Sequence, residues 1–231
     1  MEAVIIIPSR LESSRFPNKP MAKINGKEMI LHVCERASKA FTTIVATPDI
    51  ELRDFVITNG FPSILTGKHI TGTDRIAEVA NKIDADIYIN VQGDEPLIDV
   101  HDIDIIYNCK KKAYNSVIGS MQYMRHNAES AVKVLENAGQ LINLTRTGTA
   151  RYIQCGLYAF NRDELKAFAK YEDKERSLEE HENIELMRFV DMGYAVRMAV
   201  VNGGIAVDMP EDIHRVEEEI ENEREQGDCW G

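Results

Sequence analysis

Apolar residues recur along the first half of the chain in two alternating rhythms: short β-branched runs, and longer stretches spaced for one face of a helix. The run Val4-Ile5-Ile6-Ile7 has the length and composition of a strand buried on both faces. Helix cannot follow at once, because Pro17, Pro20 and the small polar residues around them interrupt any helical pattern. Beyond that loop, Met29, Ile30, Val33 and Ala37 predict a helix over Met29 to Ser38. Thr43 to Ala46 reads as strand, Ile50 to Thr58 as helix and Ser63 to Leu65 as a short strand. Asp74 to Ile83 is again helical, and Ile87 to Val91 is a second buried strand. This βαβ rhythm predicts an α/β fold whose mostly parallel sheet carries helices on both faces.

The middle of the chain changes character. Val117 to Met124, Ala131 to Leu135 and Gln140 to Leu144 read as successive strands, with Asn137-Ala138-Gly139 as a hairpin turn. Ile153 to Phe160 and Val196 to Val201 are further strands, flanking a helix from about Leu178 to Met192. A last helix begins near Pro210, a residue suited to a first helical turn. No repeat, low-complexity tract or linker divides the 231 residues, so the second half reads as an elaboration of the same sheet.

Composition narrows the function. Lys and Arg number 27 against 38 Asp and Glu, a formal charge of −11, which argues against generic nucleic-acid binding through a basic surface. No signal-peptide pattern or membrane-spanning apolar stretch occurs, so the expectation is a cytoplasmic protein with no membrane partner. Cys34, Cys109, Cys155 and Cys229 are scattered without a C-x-x-C pair, as reduced structural thiols would be.

Against that acidic background the loop after the first strand stands out, because it carries Arg10, Arg15 and Lys19. Ligands of open α/β sheets bind outside the carboxyl ends of the strands. Three cations delivered there predict a polyanion, most simply a nucleoside triphosphate. Directly after the second buried strand comes Asn90-Val91-Gln92-Gly93-Asp94-Glu95-Pro96, where Asp94 is well placed to hold Mg²⁺ on the phosphates. Mg²⁺ takes only one or two protein carboxylates, and Asp208, which also ends an apolar run, is the best partner. Two plainer roles stay open: Asp94 as a turn former beside Gly93, and Asp208 as the N-cap of the last helix. Thr71-Gly72-Thr73-Asp74-Arg75 offers free amides at a helix start to an anion or a base edge, or is an ordinary cap. The glutamates from Glu217 to Glu225 read as a solvated helix face, and the six histidines lack metal-ligand spacing. G-x-S-x-G and H-E-x-x-H are absent, and the missing G-x-G-x-x-G argues against a nicotinamide cofactor.

Taken together these motifs resemble the 3-deoxy-manno-octulosonate (KDO) cytidylyltransferases, or CMP-KDO synthetases. The shared segments are Pro8-Ser9-Arg10 through Lys19-Pro20, Ile24-Asn25-Gly26-Lys27-Glu28-Met29-Ile30, Val45-Ala46-Thr47, the Thr71–Arg75 loop and the Asn90–Pro96 motif. Ala131-Val132-Lys133-Val134, Gly156-Leu157-Tyr158 and Val207-Asp208-Met209-Pro210-Glu211-Asp212 extend the likeness to the far end. The resemblance implies a Rossmann-like nucleotidyltransferase fold as a single domain over 1–231, with about 115–200 supplying sugar-binding and dimerisation elements. It implies a homodimer that joins CTP to a 2-keto-3-deoxy sugar acid with Mg²⁺, releasing pyrophosphate, a step of lipopolysaccharide biosynthesis. By position, Arg10, Lys19, Asp94 and Asp208 would be catalytic, with Asp94 and Asp208 on the metal. Pro8, Ser9, Arg10, Arg15, Lys19, Thr71, Gly72, Thr73 and Arg75 would bind nucleotide. Gln92, Arg146, Tyr158 and Glu185 would face the sugar.

The departures gather where the sugar should bind. An aromatic-containing Y-F-S-R before a longer arm is here Asn143-Leu144-Thr145-Arg146-Thr147-Gly148, a family histidine is Gln154, and a family glutamine is Leu186. An apolar group cannot replace an amide that bonds a sugar hydroxyl. Two other functions therefore stay open: a cytidylyltransferase for a different anionic sugar acid, and a nucleotide-binding protein of this fold without turnover.

Overall fold

Every side chain of strand β1 (Ala3–Pro8) is buried, which places it inside the sheet. It lies parallel to both β4 (Thr43–Thr47) and β6 (Ile87–Val91), and β5 (Ser63–Leu65) extends the parallel run beyond β4. The structure, a computed structural model, describes residues 1–13, 15–124, 131–171 and 184–228. On the far side of β6 the sheet changes direction. There β10 (Tyr152–Phe160) runs antiparallel to both β6 and β7 (Val117–Tyr123). The order continues through β11 (Val196–Val200) and β9 (Gln140–Thr145) to β8 (Lys133–Asn137). The sheet is thus mixed, parallel in its N-terminal half and in the β7–β11 pair, antiparallel around β10. A small hairpin, β2 (Lys23–Ile24) with β3 (Lys27–Glu28), stands apart.

Strand alternation sorts β1 onto two cores. Val4 and Ile6 face a layer containing α3 (Gly72–Ala80), α5 (Arg162–Lys170) and α6 (Met187–Asp191). Ile5 and Ile7 face α1 (Met29–Ala37), α2 (Ile50–Thr58) and α4 (Val100–Lys112). A third, smaller core joins Ile24, Met29, Leu97 and Val207 to Val216 and Ile220 of the last helix, α7 (Asp212–Asp228). Among the described residues no helix is long and apolar enough to cross a membrane. The three described cysteines, Cys34, Cys109 and Cys155, are free thiols.

The strands and helices expected through Val91 are present, with α3 starting at Gly72 and ending at Ala80 rather than spanning Asp74 to Ile83. The Asn137-Ala138-Gly139 turn forms, with both Ala138 and Gly139 at positive φ as a tight hairpin requires. Of the helix expected from about Leu178 to Met192, only α6 falls among described residues; 172–183 lie outside them. The last helix starts at Asp212, two residues after Pro210. Two helices, α4 and α5, have no counterpart in the sequence reading. In α4 the apolar period is broken because Asp102 and Lys110 occupy buried positions beside Ile103 and Ile106. For α5 a local signal exists in the capping box of Asn161 and Glu164.

Lys110 explains why a charge sits in that core. Its ammonium lies 2.6 Å from Glu164 Oε2 and donates to the carbonyls of Tyr114 and Ser116 at 2.8 Å, fastening helices from opposite faces of the sheet. Burial pushes the Lys110 pKa down and the Glu164 pKa up, and the mutual attraction opposes both shifts. Removing one partner leaves a buried charge uncompensated. Lys110→Ala should therefore cost about 3–5 kcal/mol in urea unfolding. Lys110→Met with Glu164→Gln should recover much of that loss.

Candidate active site

The site is built where β1 and β6 end side by side. Past Pro8, the Ser9 N–H still pairs with the Ala46 carbonyl at 2.9 Å, and then the chain turns away. Asp49 catches it by accepting the Leu11 N–H at 2.7 Å. Asn18, at φ 56°, lets the loop double back, with its N–H on the Leu11 carbonyl at 3.0 Å. Lys19, Pro20 and Met21 then form a single 3-10 turn. The parallel loop after β6 packs so closely that a Cβ on Gly93 would sit 3.3 Å from the Pro8 carbonyl oxygen and Ser9 Oγ. A Cβ on Gly72 would sit 3.1 Å from Pro8 Cγ. These glycines allow three loops to meet around one cavity of about 390 Å³.

The cavity brings together Pro8, Ser9, Arg10, Arg15 and Lys19 from the first loop, Thr71, Gly72 and Arg75 from α3, and Gln92 and Asp94. Lys19 Nζ lies 2.5 Å from Asp94 Oδ2 and donates to the Val207 carbonyl at 3.0 Å. The Val207 N–H in turn donates to the Asp94 carbonyl at 2.9 Å, which delivers Asp208 to the same rim. There Asp208 Oδ1 meets Arg15 Nη2 at 3.0 Å. Asp208 is not the cap of the last helix: Asp212 accepts the N–H groups of Asp208 and Met209, both at 2.9 Å. The Asp208 carboxylate is thereby left facing the cationic loop. The segment before it is anchored by buried Asp102, which accepts the Asn202 and Gly203 N–H groups at 2.9 Å.

Deeper in, Arg75 is buried and its Nε donates to Thr66 Oγ1 at 3.2 Å. Burial first, and the nearby Arg10 second, hold its pKa below the usual guanidinium range. Two guanidiniums facing one cavity favour an anion between them.

Five of the sequence-predicted residues are not part of the cavity lining: Thr73, Arg146, Tyr158, Glu185 and Asp208, the last of which meets the rim through Arg15. Thr73 is fully buried, and its N–H donates to Glu185 Oε2 at 3.0 Å. Arg146 is exposed on the β9–β10 loop, where its carbonyl accepts Lys133 Nζ at 2.9 Å. Tyr158 is buried with its hydroxyl accepting Gln154 Nε2 at 2.8 Å. Burial, then Glu185 and Glu95, push that hydroxyl's pKa well above the phenol range. Glu185 does reach the wall: its Oε1 accepts Gln92 Nε2 at 3.0 Å. Leu186 belongs to the core, with Cδ1 3.2 Å from where a Cβ on Gly119 would lie, rather than to a sugar surface.

Sequence reasoning gave no role to Glu95, which stands beside Asp94 in the same motif and is buried rather than part of the cavity lining. A bulge in β10 between Cys155 and Tyr158 aims the Gly156 N–H at Glu95 Oε1, at 2.8 Å. A Cβ on Gly156 would lie 2.7 Å from Gln92 Cβ, so only glycine fits there. Unlike Glu95, Glu12 and the exposed Ile70 do line the cavity, and neither carries a motif signal.

Burial first, then Asp94, raise the Glu95 pKa from 4.5 to about 7, while the Gly156 N–H opposes the shift. A raised folded pKa gives stability that is complete below the unfolded value and lost as pH rises through the folded one. Against Glu95→Gln, the wild-type protein should therefore lose about 3 kcal/mol between pH 4.5 and a little above 7, read by urea unfolding across pH.

Comparison with known proteins gives consistent results. The model of the cytidylyltransferase family matches residues 4–202. A 3-deoxy-manno-octulosonate cytidylyltransferase of Syntrophotalea carbinolica is 35% identical, the match covering 94% of this chain and 98% of that protein. An 8-amino-3,8-dideoxy-manno-octulosonate cytidylyltransferase of Shewanella pealeana is also 35% identical, over 92% of this chain and 96% of that one. Among solved structures, a CMP:2-keto-3-deoxy-manno-octonic acid synthetase complexed with CTP superposes with a TM-score of 0.87. It shares 32% identity and covers 96% of this chain and all of its own.

Proposed function

This chain belongs to the cytidylyltransferase family, and from that premise we propose that it transfers a cytidylyl group from CTP to 3-deoxy-manno-octulosonate. One observation carries the reading: in a chain of charge −11, Arg10, Arg15, Lys19 and Arg75 converge on one cavity beside Asp94. In the reaction the anomeric hydroxyl of the sugar acid forms a bond to the α-phosphorus, the α–β phosphoanhydride bond breaks, and pyrophosphate departs. Positioning and charge neutralisation are nearly all that such a transfer asks of a protein. Arg10 and Arg75 suit forked contacts to phosphate oxygens, and Lys19 offers a mobile point charge to the departing pyrophosphate. Gln92, held by Glu185, fixes the wall next to the acceptor.

The donor set fits Mg²⁺. Asp94 and Asp208 are brought to one rim by the backbone bond between Val207 and Asp94. Two carboxylates, with phosphate oxygens and water completing the shell, suit this hard cation better than a cage of protein ligands. When bound, Mg²⁺ supplies charge neutralisation on the phosphates and lowers the pKa of an oxygen it contacts. The free thiols suit a reducing compartment, the cytoplasm. Tyr123, Leu135, Ile142 and Val200 leave apolar surface exposed on the antiparallel half. They support 115–200 as the dimerisation and sugar-side element, and light scattering should return twice the 26.1 kDa chain mass.

Asp94→Asn should lower pyrophosphate release from CTP and KDO by at least about 100-fold. Its thermal unfolding should stay close to that of the wild type. Turnover near wild type would remove Asp94 from the mechanism. A panel of KDO, its 8-amino analogue and other keto-sugar acids, read as CMP conjugates by mass, identifies the acceptor. CTP binding without any conjugate would instead favour a nucleotide-binding protein.

A further inference from the structure

Both carboxylates at the rim are engaged by cations of the first loop, four residues apart. Lys19 holds Asp94, and Arg15 holds Asp208. The Val207–Asp94 backbone bond joins the two carboxylate segments, so the loop closes over them as a two-point clasp. The points differ in strength. Lys19 is largely shielded and has the Val207 carbonyl as a second acceptor. The Arg15–Asp208 pair is open to water, with more than a third of each side chain exposed, and such pairs contribute little. Arg15 is therefore the point that opens first.

We propose that Arg15 is a positioning residue that withholds Asp208 from a free divalent cation until the phosphates of an incoming nucleotide draw its guanidinium away. Phosphate offers the guanidinium forked oxygens and more charge than the single oxygen by which Asp208 meets it, and the same phosphates bring oxygen ligands that an isolated cation lacks. Transfer of Arg15 from carboxylate to phosphate thus releases one metal ligand and supplies others. Nucleotide and cation then bind with positive coupling, and each must favour the other by the same factor. This rests on the divalent-cation reading given above, and gives Arg15 a role separate from that of Arg10, which lines the same cavity and forms no described ion pair with either carboxylate.

Mn²⁺ titration of the whole protein without nucleotide, read by the electron spin resonance of free Mn²⁺, tests it. Arg15→Gln should bind Mn²⁺ about three-fold more tightly than wild type, Arg10→Gln should match wild type, and adding Asp208→Asn to Arg15→Gln should abolish the gain. Equal affinity of wild type and Arg15→Gln, or the same gain in Arg10→Gln, overturns the proposal. In that case the broad charge of the loop, not the clasp, governs the cation. A separate arm adds the α,β-methylene analogue of CTP and reads water-proton relaxation. An enhanced ternary signal with wild type supports nucleotide-coupled loading, while its absence overturns the premise of a metal site itself.

Discussion

The ammonium of Lys19 is the point through which the site is assembled. It joins three segments remote in sequence: its own loop, the turn after β6 through Asp94, and the strap before α7 through the Val207 carbonyl. A charge-assisted bond to one segment and a backbone bond to the next fix the spacing of all three. The glycine contacts around Pro8 act in the same direction, since a Cβ at Gly93 or Gly72 would press on Pro8 and Ser9 and require the loops to give by a few tenths of an ångström. Without that closeness the two acidic residues would belong to unrelated surfaces.

Charge is concentrated locally against the trend of the molecule. The chain carries an excess of acid, yet the cavity gathers four basic side chains, with buried Arg75 beside Arg10 at its floor. The start of α3 shows how selective the arrangement is. Its Thr73 amide is not offered to a ligand, because Glu185 accepts it while also holding Gln92. An internal carboxylate thus takes up an amide that a helix start can otherwise offer to an anion, and the positive charge at the cavity comes from Arg10, Arg15, Lys19 and Arg75. Glu185 instead ties the nucleotide-side helix to the opposite wall.

The small third core links these features to the end of the chain. Phe16, next to Arg15, packs against the cluster that holds Val207, next to Asp208, and Leu97, three residues beyond Asp94. Val216 and Ile220 of α7 complete it, and Glu217 accepts the Asn25 N–H at 2.7 Å. The last segment therefore acts as a brace, holding the rim from outside the two large cores that stabilise the sheet.

Local pattern was sufficient for much of this. A β-branched run such as Val4–Ile7, cut off by prolines, reads as a buried strand, and the basic residues after it as a loop at the strand end, because backbone period and proline chemistry act over a few residues. The motif around Asp94 was legible for the same reason. Helix α4 was not, since Asp102 and Lys110 are buried only because Asn202, Gly203 and Glu164 come from distant parts of the chain to receive them. Nor were the inward turn of Thr73, the core position of Leu186 or the burial that raises Glu95. Which residues form the loops at the strand ends was thus written in short-range order. Which of them meet, which are turned away, and which cation pairs with which carboxylate depended on desolvation and long-range hydrogen bonds that exist only once the chain has closed on itself.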